Sequence, residues 1–307
     1  MKRVTDKLDP VNMVKILIVG RSGVGKTYAL GGLRGLWYFT HEADGVPVIR
    51  AQNPQAVIFV MEDTLDDYGE LKGLLTAKHG KCAGVGCEGC RYTGVQAAAD
   101  GCMAVGYDSL STAQQICLDR ASSVNNKRRK VPLPDGAFDE LDYNLSYHYL
   151  ARLLSMFRSI PLPVVMLAHA MDPEPEVQVP GGPQVRYVRW YVPGKKFDPI
   201  IPRYFTAIGG LHHKIGPPEE RVVVFDPTVV WGGRMFRVKS MAGLGKTEPP
   251  NPQLWLDNIS RRFRGEDRLR APEHDVEVET SAPPAEPEVE SEVVVRSAEV
   301  LQKFIPE

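Results

Sequence analysis

The chain has 307 residues, 43% hydrophobic and 24% charged, with a formal net charge of −1. This composition fits one large globular domain with extensions and excludes a uniformly basic chain, so any nucleic-acid site is a local patch. No apolar run approaches the ~20 residues of a membrane span, and the opening MKRVTDKLDP lacks the apolar centre of a secretory signal. The expectation is a cytoplasmic protein with no membrane contact, whose five cysteines are thiols or metal ligands rather than disulfides.

The first element is an apolar, β-branched run from Val14 to Val19. Gly20-Arg21-Ser22-Gly23-Val24-Gly25-Lys26-Thr27 follows and matches G-x-x-x-x-G-K-[ST], with Tyr28-Ala29-Leu30 opening a helix. Strand, glycine loop and helix start are the context of a phosphate-binding loop. Glycines permit the backbone to turn N–H groups onto an anion, and a helix start favours negative charge. Lys26 is expected to reach the β- and γ-phosphates of ATP, Thr27 to ligate Mg²⁺, and residues 20–28 to line the nucleotide.

Gly31 to Tyr38 reads as the end of this helix running into a loop. Ala56–Met61 is the second strand, ending in Glu62-Asp63-Thr64. A carboxylate there can polarise an attacking water; Glu62 is the first candidate and Asp63 its rival by one residue of register. Thr64 caps a helix over residues 65–78 with Leu65, Tyr68, Leu71, Leu74 and Leu75 on one face.

Residues 79–93 break the pattern. His79, Cys82, Cys87 and Cys90 form a compact glycine-rich set containing one C-x-x-C, a candidate Zn²⁺ site closing a small insertion; free surface cysteines are the alternative. Cys102–Tyr107 is the third strand, with Asp108 at its carboxyl end in a Walker-B pattern that can hold Mg²⁺. Thr112 caps a helix to about Ala121.

Residues 124–136 form a basic polar loop containing Lys127-Arg128-Arg129-Lys130, and a long helix is expected over 138–159. Its stripe is Leu141, Leu145, Tyr149, Leu150, Leu153, Leu154 and Phe157. Pro163–Ala168 is the fourth strand, ending at His169, a candidate γ-phosphate sensor.

Residues 171–200 are rich in proline and glycine and too long for an ordinary connection. Within them Arg186, Arg189, Lys195 and Lys196 intersperse with Tyr187, Trp190 and Tyr191. Cations for phosphates beside aromatics for bases is how single strands are held without reading sequence. The competing expectation is a hairpin whose aromatics pack on the sheet. Three more strands, near residues 204–208, 221–225 and 235–239, suggest antiparallel hairpins. From about Ala271 the chain is acidic and proline-rich, with Arg296 and Lys303 its only Lys or Arg, a composition that does not fold. A short terminal helix with Val294, Leu301, Phe304 and Ile305 could dock a partner protein.

Strands alternating with helices imply a doubly wound, mainly parallel α/β sheet with C-terminal antiparallel strands. Its ligands lie at the carboxyl ends of the strands. The core is expected over residues 1–263 and the tail over 264–307.

The stretches VKILIVGRSGVGKT, VIFVMED, MAVGYDS, VVMLAHA and FRVKSMAGL, spanning Val14 to Asn258, together resemble the RecA superfamily core. In detail they resemble the small bacteriophage ATPases that act in recombination or single-strand annealing. The resemblance implies Mg²⁺-dependent ATP hydrolysis, homo-oligomers, a DNA-binding loop after His169, and work on single-stranded DNA in a host-cell cytoplasm with replication or recombination partners. It also implies that Lys239 reaches a neighbouring subunit's ATP, although Met241 stands where many relatives carry arginine. A nucleotide-gated adaptor recruiting partners through the acidic tail, or a helicase-type motor, are the alternative functions.

Overall fold

The computed structural model describes residues 10–64, 68, 71, 75, 101–160, 162–171, 186–188, 190, 199–214, 220–226, 230–231, 234–236 and 238–269. All belong to the compact unit Met1–Ala271.

Eleven strands and five α-helices are described. In chain order they are β1 (Lys15–Gly20), α1 (Lys26–Gly31), β2 (Leu36–Thr40), α2 (Gly45–Gln52), β3 (Val57–Val60), β4 (Ala104–Asp108), α3 (Leu110–Asn126), α4 (Glu140–Ser159) and β5 (Val164–His169). There follow β6 (Arg186–Val188), β7 (Ala207–Lys214), β8 (Glu220–Val224), β9 (Val230–Trp231), β10 (Arg234–Phe236), β11 (Thr247–Glu248) and α5 (Pro252–Phe263). An eight-stranded sheet runs in the order β11-β8-β7-β1-β5-β4-β2-β3, and a small sheet in the order β6-β10-β9. From β7 to β3 every pairing is parallel; β8 and β11 add antiparallel strands at one edge. The expected doubly wound α/β architecture is the one observed.

Period-two alternation builds both cores. Leu17, Val19, Phe39, Val105, Tyr107, Met166 and Ala168 face one side, where Ala113, Ile116 and Cys117 of α3 and Leu150, Leu153, Leu154 and Phe157 of α4 cover them. Ile16, Ile18, Tyr38, Ala104, Val165 and Leu167 face the other, against Leu30 of α1, Ile49 of α2 and Trp255, Leu256 and Ile259 of α5. Tyr68, Leu71 and Leu75 are helical and buried in the first core, as the stripe after Thr64 predicts.

One sequence expectation needs correction. Residues 36–38, expected at the end of a stretch running from helix into loop, instead belong to the fully buried strand β2, lying between β4 and β3. The strand ending near Glu62 is therefore the sheet's edge. The expected antiparallel hairpin forms between β7 and β8, while the other edge of β7 pairs parallel with β1.

α3 is capped by Ser109, whose side chain accepts from the Thr112 N–H, and runs on to Asn126. α4 begins with a capping box of Asp139 and Asp142. Leu141 of its expected stripe is 61% exposed. Buried Asp142 takes an inward place instead, paired with Arg129 at 3.0 Å, so that residue of the basic run is committed to structure.

α5 was not anticipated, although Asn251 caps it and Pro252 stands in its first turn, the usual start signals. Residues 264–269, grouped with the tail from sequence, fold back on α5. The Leu269 N–H donates to Asn258 Oδ1 at 2.7 Å, and Arg268 pairs with buried Glu248.

At the amino end of β1, buried Lys15 donates to the carbonyls of Asn12 (3.1 Å), Val14 (3.4 Å) and Leu162 (2.8 Å). No helix among the described residues is long and apolar enough to cross a membrane.

Trp255 anchors α5. Its ring meets Phe225 edge-on at 5.2 Å, and its Nε1–H donates to the Pro249 carbonyl at 2.8 Å. Trp255→Ala is expected to lower the unfolding free energy by about 3–5 kcal/mol, the usual cost of emptying a buried aromatic site. Urea denaturation of the two proteins measures it.

Candidate nucleotide-binding site

Parallel pairing brings the carboxyl ends of β1, β5, β4 and β2 to one rim. Gly20 lies level with His169, and Thr40 level with Asp108. The phosphate loop leaves β1 at Gly20 and enters α1 at Lys26. Gly25, which caps that helix, has φ 95°, a conformation other residues rarely adopt. Lys26 is only 7% exposed. Its Nζ donates to the carbonyls of Gly20 (2.9 Å) and Arg21 (2.8 Å), so the amine lies inside the ring that its own loop forms.

Burial lowers the pKa of Lys26; the carboxylates of Asp108 and then Glu42 pull it back up. Asp108 is buried at the end of β4, and burial raises its pKa. The hydroxyls of Thr27 and Tyr38 each donate to Asp108 Oδ2 at 2.9 Å and oppose that rise. Tyr38 is itself held protonated, first by burial and then by the charge of Asp108. The start of α2 closes over this cluster: a Cβ on Gly45 would stand 2.6 Å from the Tyr38 hydroxyl.

Thr27 and Asp108 thus present two hard oxygens side by side, next to an enclosed ammonium. That donor set fits a Mg²⁺ held partly through water, with a phosphate chain on the loop. Lys26, Thr27, Asp108 and His169 are brought together as the sequence predicts.

Glu62 is not. β3 stands level with β2, Val60 opposite Thr40, so Glu62 leaves the sheet one strand farther out than Glu42 and is exposed. Glu42, itself half-exposed, is the carboxylate turned toward the phosphate-loop side of the rim. Its Oε1 lies 3.7 Å from His169 Nε2 and accepts from Thr112 Oγ1 at 3.3 Å.

Sequence reading missed Glu42 because LWYFT was not assigned to a strand. The aromatic run between Gly35 and the His41-Glu42-Ala43-Asp44 stretch was the available signal. Asp63 meets His41 Nδ1 at 3.2 Å. His41 Nε2 is 3.2 Å from both the Tyr68 and Tyr107 hydroxyls, which lie 2.8 Å apart. Asp63 thus pairs from the surface with the buried His41 ring at the end of β2.

Lys239 bridges to Ile208, which is level with Leu17 in the middle of β1. Its exposed side chain donates to the carbonyls of Pro202 (3.2 Å) and Phe205 (2.7 Å), toward the amino end of β7 and away from the phosphate loop. It is not part of its own chain's nucleotide site.

Of the basic–aromatic segment, Trp190 is 2% exposed in the core and bridges Ala170, so its ring is not open to a base. Arg186 and Tyr187 lie in β6 opposite Arg234 and Met235. Arg189, Tyr191, Lys195 and Lys196 lie outside the described residues, as do His79, Cys82, Cys87 and Cys90. Among the described residues no group of three or more His, Cys, Asp or Glu could hold a metal ion. Cys102 and Cys117 are buried thiols, each pushed up to about 12 by burial.

No family model and no curated protein matches the chain. Among solved structures, a KaiC-like protein from the hyperthermophilic archaeon Pyrococcus horikoshii OT3 is similar at a TM-score of 0.35 and 9% identity, over 69% of this chain and 77% of that one.

The Tyr38–Asp108 bond makes a testable demand. A donor to a carboxylate stabilises the ionised form, so its contribution is present above the folded pKa of Asp108 and lost as pH falls through it. Tyr38→Phe is expected to cost about 1.5–3 kcal/mol of stability at neutral pH. Urea titrations at descending pH should show that deficit shrinking as Asp108 takes up its proton; a deficit independent of pH would refute the account.

Proposed function

We propose that the protein is a Mg²⁺-dependent ATPase whose phosphate loop, Gly20 to Thr27, binds the triphosphate. The observation that carries this reading is the enclosed Lys26 amine beside the Thr27–Asp108 pair. When nucleotide binds, Lys26 exchanges its two loop carbonyls for phosphate oxygens. Thr27 and Asp108 would hold a Mg²⁺, whose charge would offset that of the phosphate chain.

Glu42 is the general base. It orients a water, whose oxygen bonds to the γ-phosphorus while the bond to the β–γ bridging oxygen breaks. The water's proton passes to the Glu42 carboxylate. His169 is the proposed γ-phosphate sensor, supported by its position level with Gly20 and 3.7 Å from Glu42.

Single-stranded DNA is the proposed effector. What supports it is the density of Arg, Lys and Tyr between residues 184 and 196, in a segment that begins shortly after His169. The aromatic part of that grip falls to Tyr187 and Tyr191, since Trp190 is core.

Three variants test the assignment by steady-state ATPase and nucleotide binding. Lys26→Ala abolishes nucleotide binding. Glu42→Gln leaves MgATP affinity within about threefold while turnover falls by ~100-fold or more, the usual scale of general-base loss. Glu62→Gln remains within about twofold of wild type. A collapse of turnover in Glu62→Gln with an active Glu42→Gln would return the role to Glu62. For the DNA assignment, an oligonucleotide that neither binds nor stimulates the ATPase would remove it.

A further inference from the structure

The flank of the phosphate loop away from Asp108 and Glu42 carries a pair of side chains that the proposed chemistry does not use. β7 pairs with β1 only as far as Val19 opposite Gly210, then continues to Lys214. β8 returns along that overhang, with Arg221 opposite His213. Three residues beyond Gly210 is ~10 Å of strand, so the β7–β8 hairpin stands above the rim as a wall beside the loop.

From that wall Arg221 leans back over Gly25. A Cβ on Gly25 would lie 3.0 Å from its Nη1 and 3.2 Å from its Cζ. The guanidinium also lies 5.7 Å from the centre of the Tyr28 ring. Tyr28 is 46% exposed, on the first turn after Thr27. Arg221 makes no salt bridge with any carboxylate among the described residues.

A guanidinium lying over a phenol ring at the mouth of a phosphate site offers planar surface on which a nucleobase stacks. The sheet order fixes which end of the nucleotide they meet. Asp108, His169 and Glu42 come from β4, β5 and the end of β2 on one side of β1, whereas Arg221 comes from β8 on the other. The γ-phosphate belongs with the first group, and the non-reacting end of the molecule with the second.

We infer that Arg221 and Tyr28 form the platform that holds the base of the bound nucleotide. The inference rests on the nucleotide-binding reading above and adds to it the residues that distinguish a nucleotide from bare phosphate. The contact is made equally with a triphosphate and a diphosphate, so it sets affinity and leaves turnover of bound ATP unchanged. Lysine cannot replace Arg221, because an ammonium has no stacking face.

The test is calorimetric binding to the full-length protein with Mg²⁺, using ATP, ADP and inorganic tripolyphosphate as probes. Arg221→Ala and Tyr28→Ala are each expected to weaken ATP and ADP by about tenfold and to leave tripolyphosphate within about twofold. Arg221→Lys should behave like Arg221→Ala. Tyr28→Ala guards against a folding defect in the strand variant, since Tyr28 is a half-exposed surface residue.

If the variants weaken tripolyphosphate as much as ATP, Arg221 is a phosphate contact and the platform is refuted. If ATP binding is unchanged, the pair plays no part in binding. Should wild type bind none of the three probes, the nucleotide reading itself falls, an outcome distinct from the other two.

Discussion

The Lys26 ammonium is nearly shut off from water, and a cation in that position is tolerated only where oxygen surrounds it. Two carbonyls of its own loop supply the contacts, and Asp108 and Glu42 supply the opposing charge. Asp108 is in turn buried, against its own preference for water, and is steadied by Thr27 and Tyr38. Each group is acceptable where it is because of the next. The phosphate loop, the start of α1 and the ends of β4 and β2 are thereby tied into one electrostatic unit. On the proposed reading, a triphosphate with Mg²⁺ would satisfy the same groups, adding negative charge at the lysine and positive charge at the aspartate.

The sheet order explains how residues so far apart in sequence come to share that unit. β5 lies between β1 and β4, which opens space for His169 between the loop and Asp108. β2 lies beyond β4, so its end brings a carboxylate in from the far side. The ends of β2 and β3 are level, and the sequence offers Glu42 on one and Glu62 on the other; lateral order alone decides which faces the loop. His41, held by Asp63, Tyr68 and Tyr107, fixes the backbone just before Glu42 and so helps decide where that carboxylate points.

Local signals carried part of this arrangement. A phosphate loop is written in consecutive residues, so Gly20–Thr27 and its flanking strand and helix were legible. Asp108 and His169 followed from apolar runs that end in a polar residue. Glu42 was not legible because Leu36–Thr40 is mostly aromatic, follows a helix closely, and was absorbed into it. Arg221 gave no signal at all: one arginine in a strand gains a role only when the overhang of β7 lifts it above the loop. Trp190 shows the opposite failure. An aromatic residue among cations reads equally well as a stacking surface or as core, and composition does not hold the information that separates them.

At the other end of β1, Lys15 has burial as the only cause of its shift, and its pKa is lowered to about 8 from 10.5. Its amine fills a place where three carbonyls would otherwise need an ordered water. Below pH 8 the folded protein bears the cost of a buried charge that the unfolded chain does not. Between about 8 and 10.5 the unfolded chain binds the extra proton, and that cost is progressively relieved. The root of the phosphate-loop strand therefore tightens in mild alkali, so that proton activity acts on the fold from the face opposite the chemistry.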